Sequence, residues 1–319
     1  MKSTFKDIHK RSAGALFPAA ISCFALCYVA LAAIASPALV AEEAPSWLTL
    51  AASATPPAYD KKVPAVVLLD EQNLKVEEDG RVTTTTRYAI KILTNEGRKR
   101  AVARAIYITN AGKVREMRAW LIRPSDQVKK YGKDQTLDVA DATNDVFDEV
   151  RVKVIDASDD TETGAVFGYE YITEDRSVFT QFDWQFQGRL PTLYSHYSIT
   201  LPTGWRAEGV TFNYPTIKPV VSGSTYSWEL RNLSWIGYEP ASPPVTNLAP
   251  RLAVSYFPAP GKSVPGRSFD KWSEVSKWLA ELSASQSTPN EAMAEKAAHG
   301  QLGKHFVWCA DDSDLWALD

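Results

Sequence analysis

The chain has 319 residues, of which 45% are hydrophobic and 11% aromatic, enough to bury a large core without covalent staples. Its formal net charge is -3, so no global field draws it toward nucleic acid. Of its 3 cysteines, Cys23 and Cys27 lie in an N-terminal apolar stretch and only Cys309 lies beyond it, which excludes a disulfide framework.

Met1–Arg11 carries Lys2, Lys6, Lys10 and Arg11 against one acid, Asp7. Gly14–Ala35 is almost wholly apolar, and small residues follow. These are the three parts of a secretory signal peptide, expected over residues 1–41 with cleavage after Ala38 or Ala41. A retained anchor is the alternative, since spanning takes ~20 apolar residues. Pro18, Ser22 and the small residues after them favour cleavage. The expectation is an exported protein, periplasmic or extracellular, with no stable membrane span once the signal is removed.

Residues 42–64 are rich in Ala, Pro and Ser and read as a linker. From Ala65 the pattern turns to strands. Val66–Leu69 is a short apolar run. Leu74–Glu77 and Arg81–Leu93 flank Asp79-Gly80, a hairpin dipeptide in which both positions tolerate positive φ. In the second arm Val82, Thr84, Thr86, Tyr88, Ile90 and Ile92 share one face, the period of a half-buried strand. Arg98, Lys99, Arg100 and Arg104 form a basic cluster that reads as a solvated strand end.

Val102–Ile108 alternates, Asn110-Ala111-Gly112 turns, and Val114–Ile122 alternates again, with Val114, Trp120 and Ile122 assigned to one face. The acidic stretch Asp138–Glu162 contains alternating apolar residues and is not disordered by composition alone. Val150–Ile155, Ala165–Ile172, Val178–Phe186, Leu193–Leu201, Arg206–Tyr214 and Thr225–Leu230 continue the series. Many short strands without intervening helices predict antiparallel sheets packed face to face. Trp184, Phe186, Tyr197, Trp205, Trp228 and Trp235 supply the large side chains of such a core.

Residues 234–265 are proline-rich, with one strand-like piece at Leu252–Phe257. The period then becomes helical. Phe269, Trp272, Val275, Trp278, Leu279 and Leu282 recur after Ser268. A second helix opens at Thr288-Pro289-Asn290-Glu291, with Thr288 as cap and Glu291 completing a capping box, and closes at Gly300. The fold class is mainly β: an antiparallel β-sandwich-like domain over residues 65–265, then a short C-terminal helical segment over 266–300 and an atypical tail over 301–319.

Candidate chemistry is sparse. His196 follows Ser195 within a strand, where successive side chains point to opposite faces, so the pair cannot easily act as nucleophile and base. His299, His305, Cys309 and Asp311 are zinc-ligand types, but their spacing matches no established pattern. Asp311, Asp312 and Asp314 beside Cys309 would raise its thiol pKa, the wrong direction for a nucleophile. No catalytic residue, cofactor or metal ligand is assigned. Trp235, Tyr238 and Tyr256, in the irregular stretch, are the aromatics least explained by a sheet core, and they are the candidate ligand-binding residues.

Several stretches resemble one family. They include Val66-Val67-Leu68-Leu69-Asp70 with the Asp79-Gly80 hairpin, Gly112–Pro124, Gly164–Tyr171, Phe182–Gln187, Tyr226–Leu233, Glu239-Pro240 leading to Ala249–Leu252, and the helix Trp272–Leu279. In this order they resemble the bacterial domain of unknown function that precedes transglutaminase-like cores in exported proteins, from roughly Pro64 to Leu282. The resemblance implies a β-sandwich-like domain followed by a papain-like core using Cys, His and Asp, with the cysteine in a Gly-Asp-Cys context. Thr288–Gly300 matches the start of the lead-in to that core. Cys309 follows Trp308 and comes too early, with no room for the later His and Asp, so the catalytic core is expected to be truncated.

The leading expectation is a non-catalytic exported module, an accessory or recognition domain of a transglutaminase-like protein, with an unknown protein or glycan as partner. The alternatives are an autonomous glycan- or peptide-binding domain and a hydrolase using carboxylates, which are plentiful, including Glu77-Glu78, Asp159-Asp160 and Glu170, and which the sequence alone does not pair across a cleft.

Overall fold

The computed structural model describes residues 43–140, 149–176, 179–262, 269 and 271–286. Glu43 apart, these all fall in the unit Ala44–Asp319. The expected signal segment, the helix at 288–300, the tail, and with them His299, His305 and Cys309, lie outside the described residues.

A short helix α1 (Ser46–Ala52) precedes strands β1 (Ala65–Val76), β2 (Arg81–Ile92), β3 (Val102–Ile108), β4 (Gly112–Ile122), β5 (Val128–Tyr131), β6 (Leu137–Ala140) and β7 (Val150–Asp156). There follow β8 (Val166–Arg176), β9 (Gln181–Gln185), β10 (Thr192–Thr200), β11 (Arg206–Phe212), β12 (Val220–Ser222), β13 (Thr225–Leu233), β14 (Arg251–Phe257) and helix α2 (Trp272–Gln286). The chain is mainly β, as its alternating pattern predicts. Among the described residues no helix is long and apolar enough to cross a membrane.

The strands form one large sheet in the order β12-β13-β10-β1-β2-β8-β4-β5 and two small ones, β11-β14-β9 and β3-β7-β6. Among the described residues every pairing is antiparallel except that of β1 with β10. Both small sheets pack on the same face of the large one. Val82 of β2 belongs to the core shared with β9, β11 and β14, whereas Ile90 and Ile92 belong to the core shared with β3 and β7. These three residues lie at even positions of one strand, so they point the same way.

Two bulges set which residues face in. Register shifts between Val67 and Leu69 of β1, where Leu68 is the extra residue. Without it Glu71 would follow Ala65 and Val67 onto the inner face. With it, Asp70, Gln72, Leu74 and Val76 are inward, opposite Tyr88, Thr86, Thr84 and Val82. A second shift, between Val114 and Glu116, corrects the face assigned to β4. Val114 packs inward with Met117, Ala119 and Leu121, while Trp120 and Ile122 face outward. Strict alternation places Val114 with Trp120, but the extra residue reverses parity between them.

The stretch expected as a linker is partly structured. Leu48 of α1 is wholly buried against the outer face of the large sheet, with Val66, Leu68, Ala89, Trp120 and Val166. Trp47 meets Trp120 edge to face at 6.1 Å. Seven residues are too few to hold a helix alone, so tertiary packing sustains α1. The Asp79-Gly80 turn also differs in detail. Only Gly80 is left-handed, at φ 79, whereas Asp79 accepts a hydrogen bond from the Arg81 amide at 3.1 Å.

Candidate functional site

On the inner face, between the two cores, the sheet changes character. Along β2 the apolar Val82 and Ile90 bracket Thr84, Thr86 and Tyr88. Along β1, Leu74 and Val76 give way to Gln72 and Asp70. Along β8 the inward residues are Tyr169, Tyr171, Thr173 and Asp175. Strand register assembles these into rows. Asp70 stands opposite Tyr88, which stands opposite Tyr169; Gln72 stands opposite Thr86, which stands opposite Tyr171. Directly opposed residues are about 5 Å apart, so each row is a contact surface. The result is a half-buried polar and aromatic seam on a rigid sheet.

The three tyrosines form a ladder. Tyr88 and Tyr169 stack at 5.3 Å, and Tyr169 and Tyr171 at 6.1 Å. Gln72 donates to the Thr86 hydroxyl at 3.5 Å. Burial pushes the Asp70 carboxyl up to about 7. Burial also raises the phenols of Tyr88, Tyr169 and Tyr171, and the Asp70 charge adds to that in all three, while Arg100 opposes it at Tyr88. Near neutral pH, Asp70 is therefore close to half ionised beside three phenols that keep their protons. A cation entering the seam would favour the carboxylate and meet the aromatic faces.

Asp175 is the other inward acid, and burial raises it too. The two do not form a pair. Their partners on β2, Tyr88 and Val82, are six positions apart, about 20 Å at the rise of a strand. Glycosidase-type carboxylate pairs sit within about 10 Å.

On the outer face His196 Nδ1 lies 3.4 Å from Glu71 Oε1, and Arg87 bridges Glu71 at 3.4 Å and Glu170 at 2.6 Å. The His196 contact, with Arg87 in support, outweighs burial and holds Glu71 below the usual carboxylate range. Ser195 points inward, where its hydroxyl accepts a hydrogen bond from Trp184 Nε1 at 3.3 Å. Serine and histidine thus serve opposite faces of β10. Among the described residues no three His, Cys, Asp or Glu side chains group as a metal site requires.

The three expected ligand-binding aromatics are not one surface. Tyr256 is 1% exposed and stacks on Phe182 at 6.0 Å and Trp205 at 5.8 Å, so it is a core residue. Its position on β14, the middle strand of a small sheet, is the reason. Trp235 is 36% exposed and Tyr238 78%, and Arg189 lies over the Tyr238 ring at 5.4 Å. Only these two remain on the surface. Of the basic cluster, Arg98 reaches the Ser158 and Asp159 carbonyl oxygens at 3.4 and 3.2 Å, which ties the turn at 95–100 to the chain after β7.

The inward Tyr–Tyr–Tyr ladder and the sheets around it fall largely within one recognisable span. Residues 78–236 match the family described as "Domain of Unknown Function with solved-structure structure (DUF3857)". That span resembles a DUF3857 domain. It runs from the hairpin before β2 to just past β13, and so leaves out β1, with Asp70, and β14. Comparison with curated proteins finds no match.

Among solved structures, a putative protease from Parabacteroides distasonis shares the fold, with TM-score 0.53 and 14% identity. The alignment covers 61% of this chain and 41% of that one, so the present chain spans well under half of its length. A yeast LTA4 hydrolase aligns with TM-score 0.31 and 10% identity, over 67% of this chain and 33% of that one. An M1 zinc metallopeptidase from Deinococcus radiodurans aligns with TM-score 0.28 and 8% identity, over 61% and 42%. At those scores the last two carry no argument. The likeness to the first is one of fold alone.

Proposed function

We propose that the unit containing the DUF3857-like span is a non-catalytic recognition module. It would hold a basic side chain of an extended peptide against Asp70 and the Tyr88–Tyr169–Tyr171 ladder. The observation that carries this reading is the seam itself. An inward carboxyl with no hydrogen bond or ion pair found among the described residues sits beside three stacked phenols. A site of this make-up recognises a cation by charge and ring face together. It sits on strands flanked by two packed cores, where little motion is needed to receive a ligand.

The module would serve as an accessory to a transglutaminase-like catalytic partner in an exported setting. The family resemblance supports this, as does the shared fold with a structure described as a putative protease. The test uses the full chain and a labelled peptide of alternating Lys and Thr. Asp70→Asn and Tyr169→Ala should each weaken binding about tenfold, equivalent to ~1.4 kcal/mol. Equal binding by wild type and both variants would refute the site. Peptide hydrolysis or acyl transfer that vanished in Cys309→Ala would refute the non-catalytic role.

A second reading rests on Trp235 and Tyr238, which present exposed rings on one short segment. They would suit stacking against a sugar face. Loss of glycan binding in Trp235→Ala with Asp70→Asn unaffected would favour it over the seam.

A further inference from the structure

A groove of about 630 Å³ lies along Val114–Arg118 of β4. Its floor is Val114 and Met117. Its walls carry Arg115, Arg118, Lys130, Lys133 and Lys153 against only Glu116 and Asp138. The acids nearby are already engaged, and Glu116 holds Arg118 at 2.7 Å. Glu174 serves both Arg115 and Lys113, and Asp138 serves both Arg151 at 2.9 Å and Lys153 at 3.7 Å. Five cations therefore rest on three carboxylates. The charge of the groove is positive, opposite to that of Asp70 in the seam it adjoins through Met117, the register partner of Tyr171.

The groove also borders an open sheet edge. β5 pairs with β4 only over Ala119–Ile122. Among the described residues no strand pairs with that side of β4 over Gly112–Arg118. An unpaired edge is a template for another strand. Arg115 and Arg118 guard it against a second copy of the same basic edge. An acidic strand meets no such repulsion.

We propose that this groove docks an acidic, extended segment of a partner protein, added alongside the free part of β4. Alternate side chains of that segment would face Val114 and Met117, and its carboxylates would face the arginine and lysine walls. This site is separate from the seam and does not rest on the reading given for it, because the two take ligands of opposite charge.

The test measures anisotropy of a short labelled peptide of alternating Glu and Val on the full chain. Saturable binding that weakens as salt rises from about 50 to about 300 mM is expected, since exposed charges are then screened. Lys130→Glu combined with Lys133→Glu should weaken it at least about tenfold, with an unchanged far-ultraviolet spectrum to show that the fold persists. Methylating alternate backbone nitrogens of the peptide should abolish binding, because strand addition needs those N–H donors. Asp70→Asn should leave binding unchanged. The proposal is overturned by absence of binding, by equal binding of a Lys and Val peptide, or by indifference to the double variant. It is also overturned if inorganic polyphosphate displaces the peptide while backbone methylation has no effect, since the groove would then be a general polyanion site.

Discussion

Leu48 occupies the space directly over Gly168. A Cβ at Gly168 would lie 2.4 Å from Leu48 Cδ1, closer than any real contact allows. The helix before the first strand is thus locked onto β8 by one large side chain and one missing one. Leu48→Ala should cost about 2–5 kcal/mol of stability, the range for emptying a buried leucine site. Gly168→Ala should displace α1 and cost about 1–3 kcal/mol by overpacking. Urea denaturation followed by tryptophan fluorescence reads both, and the pair should be non-additive because shortening Leu48 relieves the clash that a Cβ at Gly168 makes.

Asp70 gives the stability a pH signature. Its folded pKa is raised, so the folded state holds a proton that the unfolded chain releases above about pH 4. Stability should then fall as pH rises from about 4 to about 7 and level off above that. Asp70→Asn removes this loss. The variant should match wild type near pH 4 and exceed it by about 1–3 kcal/mol near pH 8, measured by denaturation at the two pH values. A constant offset between the two would show that Asp70 is not the titrating group.

Arg87 separates two carboxylates. Glu71, Arg87 and Glu170 stand in one row across β1, β2 and β8, and the guanidinium contacts both acids. Arg87→Ala leaves the acids facing each other and removes a cation 5.9 Å from the Trp47 ring. A loss of about 1–2 kcal/mol is expected at neutral pH. It should shrink as pH falls through the lowered Glu71 pKa, where the acid accepts a proton and the repulsion ends. Thermal unfolding at both pH values tests this.

The DUF3857 span is not expected to fold alone. β1 lies between β2 and β10 and supplies Leu74 and Val76 to one core and Ala65 to another. β14 is the middle strand of its sheet. Both lie outside residues 78–236. A polypeptide limited to that span should show no cooperative thermal transition by circular dichroism, whereas one spanning residues 44–262 should retain it.

Local chemistry made most strands legible. Val82 to Ile92 alternate over a long enough run for one face to declare itself, and the structure gives them one strand, Arg81–Ile92. β5, β6 and β12 were missed because each has only three or four residues, and β6 and β12 expose every side chain. The helix after Ser268 was readable from its period. Its stripe is largely exposed, however, with Trp272 at 86%, while Trp278 meets Phe179 at 5.4 Å.

The candidate site was not legible at all. Asp70, Tyr88, Tyr169 and Tyr171 are spread over a hundred positions, and only strand register gathers them. The expected platform drew on Tyr256 because a proline-rich neighbourhood resembles a loop, yet β14 carries that residue into the core.

The sequence by itself determined that the chain is mainly β, where its longer strands run, and that no disulfide framework holds it. Side-chain period and residue type act locally and leave their mark on neighbouring positions. Only the tertiary structure decided which acid faces in. One bulge residue, Leu68, reverses the alternation of β1 and puts Asp70 rather than Glu71 on the inner face. Pairing with β2 on one side and, in parallel, with the distant β10 on the other fixes that choice. Long-range register carries no local signal, because it is set by which faces can be buried together.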